Sequence, residues 1–169
     1  IAQALSDHEI ETLFGLVGDA NLFIANHFVN ECGGTLVPAV HEGGTVLMAL
    51  AYTQVTNQVG VATVTQGPGL TNCVTALREG VVSRCPMILL CGDTPVTAPF
   101  HPQNIDQREV VKATGAGFEQ VQAPDTASRD VAKAIYRARM EKRPIVLNIP
   151  SDYMWAEVEH KKIVFSFDE

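Results

Sequence analysis

The sequence predicts an α/β domain of the doubly wound kind: a mostly parallel sheet of about six strands with helices on both faces. Three observations carry that expectation. Short β-branched apolar runs alternate with longer amphipathic ones along the 169 residues, the rhythm of strand–helix–strand units. The short runs are apolar at successive positions, as strands covered on both faces must be. Glycines and polar residues gather just after those runs, at what becomes the carboxyl edge of a parallel sheet.

The elements follow in order. Ile1-Ala2-Gln3-Ala4-Leu5 reads as the inside of a helix, and an opening without methionine suggests a piece of a longer protein. Strands are expected at Thr12–Val17, Thr35–Val40, Gly60–Thr65, Met87–Cys91 and Ile145–Ile149. Helices are expected at Asn21–Cys32, Gly43–Thr56, Leu70–Val82 and Thr126–Lys142. In the last, Val131, Ala134, Ile135 and Ala138 fall at i, i+3, i+4 and i+7, the stripe of a helix laid on a sheet. Asp93–Gln107, with Pro95, Pro99 and Pro102, reads as a long loop of the kind that usually serves function. Residues 1–155 form the expected domain. Residues 156–169 read as a polar linker towards a following domain, with Ile163-Val164-Phe165-Ser166-Phe167 as the start of a further strand.

Composition narrows the partners. Lys and Arg number 12 against 19 Asp and Glu, a net charge of −7, and no longer basic run occurs than Lys142-Arg143 or Lys161-Lys162. Nucleic acid and anionic membranes, which need clustered cations to displace counterions, are therefore excluded as expected partners. No continuous apolar stretch reaches the ~20 residues of a membrane span, and no signal peptide opens the chain. With 18% charged and 46% apolar residues, disorder is excluded and part of the surface is expected to be covered by another domain or subunit. Cys32, Cys73, Cys85 and Cys91 lack C-x-x-C spacing and read as buried thiols of a reducing, cytoplasmic compartment. No metal site is expected in this chain.

The strand ends hold the chemistry: Gly18-Asp19, His41-Glu42-Gly43-Gly44, Gln66-Gly67-Pro68-Gly69, Gly92-Asp93 and Pro150-Ser151. Glu42 follows the buried run Leu36–Val40 and precedes a helix whose inward face can be built from Val46, Leu47, Leu50 and Ala51. A carboxyl at the floor of such a cleft would be raised in pKa and suited to proton exchange; a Glu in a first helical turn can equally be there for the helix dipole. His41 reads as a packed or hydrogen-bonded histidine. The Gln66–Asn72 turn lacks the Lys-Ser/Thr of a phosphate loop and the G-x-G-x-x-G of a dinucleotide fold. Its backbone amides are expected to be able to receive a polar ligand edge.

Taken together, Gly15-Leu16-Val17-Gly18-Asp19-Ala20-Asn21-Leu22, His41-Glu42-Gly43-Gly44, Gly60–Asn72, Arg84–Asp93 and Arg143–Asp152 resemble one family in order and spacing. It is the acetolactate synthase-like group of thiamine-diphosphate enzymes, in its N-terminal pyrimidine-binding domain. The resemblance covers about residues 10 to 155. It implies that Glu42 hydrogen-bonds N1′ of the aminopyrimidine and is catalytic, and that Gly18, Glu42, Gly67, Gly69 and Asn72 lie at the cofactor. It also implies that Gln103, within Pro102-Gln103-Asn104, lies near the substrate, a small 2-keto acid. Val17 replaces a usual proline, Gln66 stands where the family typically has Ser, and Ala116 stands where acetolactate synthases carry a lysine. Paired histidines of pyruvate decarboxylases reduce to His101, and the benzoylformate decarboxylase histidine falls at Thr65. The family further implies Mg²⁺ bound with the diphosphate on a domain absent from this chain, and a site completed by a neighbouring subunit in a homodimer or tetramer. An FAD requirement is left open. The competing readings are a non-catalytic oligomerisation or binding module of the same fold, and the small subunit of a split 2-keto acid decarboxylase.

Overall fold

A computed structural model of the chain describes residues 1–165. The elements run α1 (Ala2–Asp7), β1 (Thr12–Gly15), α2 (Leu22–Asn30), β2 (Thr35–Pro38), α3 (Glu42–Thr56), β3 (Gly60–Val64), α4 (Pro68–Thr71), α5 (Val74–Val82), β4 (Met87–Asp93), α6 (Gln107–Thr114), β5 (Gly117–Gln120), α7 (Ala127–Glu141) and β6 (Pro144–Pro150). The six strands form one sheet in the order β2-β1-β3-β4-β6-β5, every pair parallel. This is the predicted doubly wound α/β fold.

Successive residues of the central strands serve opposite faces, which is why those strands are apolar throughout. Ile88 and Leu90 join the layer formed with α1, α2 and α7, among Leu5, Phe28 and Ile135. Leu89 and Cys91 join the layer formed with α3, α5 and α6, among Val46, Leu50, Leu77 and Val111. Each large side chain fully buried in this way contributes about 1.5–3 kcal/mol, so the sheet is held from both sides.

Where the structure departs from the sequence expectations, the reasons are local. The inward face of α3 is Val46, Ala49, Leu50 and Thr53, whereas Leu47 and Ala51 are exposed, because the stripe advances by three and four residues. The helix expected at Leu70–Val82 is two helices broken at Asn72-Cys73. Strand β5 and helix α6 follow the long loop. The edge position of β5, only partly buried after Gly117, allows the polar Glu119 and Gln120 that disguise it as a strand.

The chain passes from β1 outward to β2 and then returns to β3 on the other side of β1. Strand order reverses there, so the carboxyl ends of β1 and β3 flank the crevice where open α/β sheets receive ligands. After a short 3-10 turn at Ser151–Trp155 the chain carries neither helix nor strand through residue 165. This segment lies back against α1 and α7: His160 Nε2 is 2.8 Å from Asp7 Oδ2, and His8 Nε2 is 3.1 Å from the Ile163 carbonyl. Of the further strand expected at its end, Ser166 and Phe167 lie outside the described residues. Among the described residues no helix is long and apolar enough to cross a membrane.

Candidate functional site

Glu42 is the first residue of α3 and half-buried. His41 before it caps the helix, its Nδ1 accepting the Gly43 N–H at 3.1 Å. That contact makes His41 a hydrogen-bonded structural residue. Asn72 Nδ2 donates to Glu42 Oε2 at 2.9 Å. The break between α4 and α5 makes this contact possible: Asn72 ends α4 and the Asn72 carbonyl packs against the first turn of α3, 3.0 Å from where a Cβ on Gly43 would stand. Among the described residues no side chain hydrogen-bonds Glu42 Oε1. Beside the helix start, Pro38, Ala39, Val40, His41, Gly44 and Met48 line an apolar cavity of about 330 Å³. Val40 is fully exposed there. Burial pushes the Cys73 thiol up to about 12, and the charge of the Glu42 carboxylate adds to the shift.

The Gln66–Asn72 turn is built differently from the expectation. Gly67 has φ 58° and ψ −109°, a backbone state that suits glycine. A Cβ there would also stand 2.4 Å from the Gln103 carbonyl oxygen. The Gly67 N–H donates to Gln107 Oε1 at 2.8 Å, the Gly69 N–H to the Gln66 carbonyl at 3.2 Å, and the Leu70 and Thr71 N–H groups to the Gly67 carbonyl. Pro68 has none to give. The N–H groups of Gly67 and of residues 69–72 are thus occupied by the chain itself, so at these positions the amides expected to receive a polar ligand edge are already engaged.

Two side-chain amide systems surround this turn. In the buried one, Gln107 Nε2 donates to the Gly92 carbonyl at 3.0 Å and to Asn148 Oδ1 at 2.5 Å. Asn148 Nδ2 in turn donates to Asp93 Oδ2 at 2.6 Å and Gln120 Oε1 at 2.8 Å. In the other, at the β1/β3 crevice, Gln66 Nε2 donates to Gln103 Oε1 at 2.7 Å and reaches Asp19 Oδ2 at 3.4 Å. Thr65 Oγ1 lies 2.9 Å from Asp19 Oδ1 and 2.5 Å from Gln66 Oε1, its one proton shared between the two acceptors.

The predicted site residues therefore fall into two groups. Glu42 and Asn72 touch. Gly67 and Gln103 are in contact through the turn and the long loop. Gly18 and Gly69 both pack on Thr65: an added Cβ would lie 2.7 Å from its Cβ at Gly18 and 3.1 Å from its Cγ2 at Gly69. These glycines are demanded first by the chain's own close packing. Sequence reasoning missed Asn21, Gln107 and Asn148. Asn21 is buried and fixes the loop after β1, accepting the Gly18 N–H at 2.7 Å and donating to Thr63 Oγ1 at 3.1 Å. The available signal was Asn148 itself, a polar residue within the apolar run Ile145–Ile149, which once buried must find partners.

A larger cavity of about 690 Å³ lies on the other face, lined by parts of α1, α2 and α7 and by the segment after Tyr153. It contains none of the predicted site residues. Among the described residues no group of three His, Cys, Asp or Glu side chains could hold a metal ion.

Residues 1–110 match the family described as thiamine pyrophosphate enzyme, N-terminal TPP binding domain. Among curated relatives, the sulfoacetaldehyde acetyltransferase of Roseovarius nubinhibens is 29% identical over 169 residues, covering 96% of this chain and 27% of the relative. The acetolactate synthase large subunit of Lactococcus lactis is 28% identical over 167 residues, covering 94% and 28%. The 2-hydroxyacyl-CoA lyase 2 of Xenopus laevis is 29% identical over 160 residues, covering 92% and 24%. The chain spans about a quarter of the length of these relatives.

Proposed function

Since this chain belongs to the thiamine pyrophosphate enzymes, through their N-terminal TPP-binding domain, we propose that it is the pyrimidine-binding domain of a thiamine-diphosphate-dependent lyase or carboligase of the acetolactate synthase-like kind, acting on small 2-keto acids. The observation that carries the reading is Glu42, a carboxyl at the start of α3 with one oxygen held by Asn72 and the other without a hydrogen-bonding side chain among the described residues. The donor set fits a neutral heterocycle rather than a phosphate: in the nearby turn the N–H groups of Gly67 and of residues 69–72 are bound within the chain, and the acid itself would repel an anion. Gly18, Gly67, Gly69 and Asn72 shape the walls on which such a ring would rest.

When bound, the cofactor supplies the carbanion chemistry for cleaving or joining a 2-keto acid. The chain's own part is narrower. Glu42 holds a proton at Oε1 and exchanges it with a ring nitrogen, while the Asn72 amide fixes Oε2 and so the plane of the carboxyl group. Only an ionisable side chain can hold and release that proton, so an amide at position 42 keeps the shape and loses the function. The diphosphate and its Mg²⁺ fall to a domain outside this chain, supplied by a neighbouring subunit of a homo-oligomer. The exposed Val40 and the apolar cavity beside it suit a surface covered in that assembly. Four cysteines kept as free thiols suit a cytoplasmic setting.

The test is Glu42→Gln in the full-length enzyme. Turnover of 2-keto acid with saturating thiamine diphosphate and Mg²⁺ is expected to drop by ~10²-fold or more, with the circular dichroism spectrum unchanged. Full activity in that variant rejects the reading.

A further inference from the structure

The crevice between the ends of β1 and β3 carries a chain of side chains whose polarity is set from one end. Asp19 is exposed, and its carboxylate accepts hydrogen bonds and has none to give. Whatever faces it must therefore present a donor. Gln66 does so at Oδ2, at 3.4 Å, and its orientation is fixed from the other side by Thr65, whose single O–H proton lies between Asp19 Oδ1 at 2.9 Å and Gln66 Oε1 at 2.5 Å. Gln66 is buried to 2% exposure, so its amide cannot turn freely into solvent. The same NH₂ group donates its shorter bond, 2.7 Å, to Gln103 Oε1. With its oxygen committed to Gln66, Gln103 is left with its own NH₂ group, which meets no acceptor side chain among the described residues.

We propose that Asp19 and Gln66 are positioning residues that fix the polarity of Gln103, so that the long loop offers a pair of N–H donors, and not a carbonyl oxygen, to the carboxylate or keto oxygen of the substrate. The inference rests on the 2-keto acid reading above and deepens it by naming what selects the substrate's oxygen-rich end. Three further features hold the arrangement. The Gln103 carbonyl fills the space that a side chain at Gly67 would need. Gln107, at the start of the helix that follows the loop, ties the Gly67 N–H to the sheet. Gln103 N–H is bound to His101 Nδ1 at 3.2 Å, so the backbone beneath the amide is set as well. A serine at position 66 is too short to bridge to Gln103. The longer side chain here therefore adds a constraint that a serine could not supply.

The experiment compares steady-state kinetics of the full-length enzyme carrying Gln66→Ser, Asp19→Asn and Gln103→Ala, singly and with Gln66→Ser in the Gln103→Ala background. Gln66→Ser and Asp19→Asn each release the amide of Gln103, and KM for the 2-keto acid is expected to rise roughly tenfold, the size of one lost hydrogen bond to a charged group, with the change falling on KM rather than kcat. In the Gln103→Ala background Gln66→Ser is expected to add nothing. Hydrogen exchange of the 98–106 segment, read by mass spectrometry without substrate, is expected to quicken in Gln66→Ser. An unchanged KM, or the same rise with Gln103 already removed, overturns the proposal. If Gln66→Ser fails to fold, Asp19→Asn decides the matter, because Asp19 is exposed and its replacement leaves the core intact. Loss of turnover in Glu42→Gln together with an unchanged KM in Gln66→Ser refutes this inference alone; retained turnover in Glu42→Gln refutes the reading beneath it.

Discussion

Two carboxylates at the same edge of the sheet are held in opposite ways. Asp93, half-buried like Glu42, ends a series of amides, Gly67 N–H to Gln107, Gln107 to Asn148 and Asn148 to Asp93, in which donors and acceptors are matched. Glu42 is half-buried and has a single amide partner. A saturated network in a low-dielectric interior is stiff, since breaking any member strands the rest. A carboxyl with one oxygen committed keeps its orientation and retains a site for exchange. The contrast sets scaffolding beside the proposed chemistry: the acid with many partners fixes the loop, and the acid with few partners is the one proposed to exchange a proton.

Attacks on the saturated side should unsettle folding most. Gly67→Ala forces a side chain into the left-handed half of backbone space and against the Gln103 carbonyl; a loss of about 3 kcal/mol is expected, read from the urea midpoint. Asn148→Ala leaves the buried Gln107 without its side-chain acceptor and takes one partner from the half-buried Asp93, with an expected loss of about 2 kcal/mol by the same measurement.

Alkali probes the boundary between the two regions. The Cys73 thiol, raised from 9.0 to about 12 by burial and by Glu42, stays protonated in the folded chain while the unfolded chain ionises. The unfolded state then binds fewer protons, so its contribution to stability is whole below pH 9 and is lost as pH rises towards 12, at up to ~1.4 kcal/mol per pH unit. Wild type should lose more stability than Cys73→Ser over this range, and equal slopes would contradict it. On the open side, Asn72→Ala should cost about 0.5 kcal/mol or less, because its contact with Glu42 is exposed. Its mark is expected on turnover instead, and a large drop in the urea midpoint would erase the distinction drawn between the regions.

The sequence made the sheet legible because β3, β4 and β6 are apolar on both faces and can be little else. It hid β5, whose edge position permits polar side chains, and it hid the break at Asn72-Cys73, which leaves the helical stripe of Leu70, Leu77 and their neighbours intact. Glu42 was singled out by its place after Leu36–Val40, a run expected to be buried that proves to belong to the partly exposed edge strand β2, with Val40 fully exposed. Gln107 and Asn148 were not, because their significance lies in each other: they are 41 positions apart and meet only when β4 and β6 pair. Gln103 was read as part of the long loop, but its bond to Gln66 needs the crevice to be closed in three dimensions.

The crossing of the Gly67 turn by the Gln103 backbone has a consequence for how the crevice can change shape. Turn and loop are nested without room for even a methyl group between them, so neither can slide past the other. A ligand that displaces the loop must drag the start of α6 with it through Gln107, and with α6 the adjoining edge strand. Adaptation to a bulkier guest is then a rigid-body tilt of that whole corner of the sheet, felt at β5, and not a swing of the loop alone.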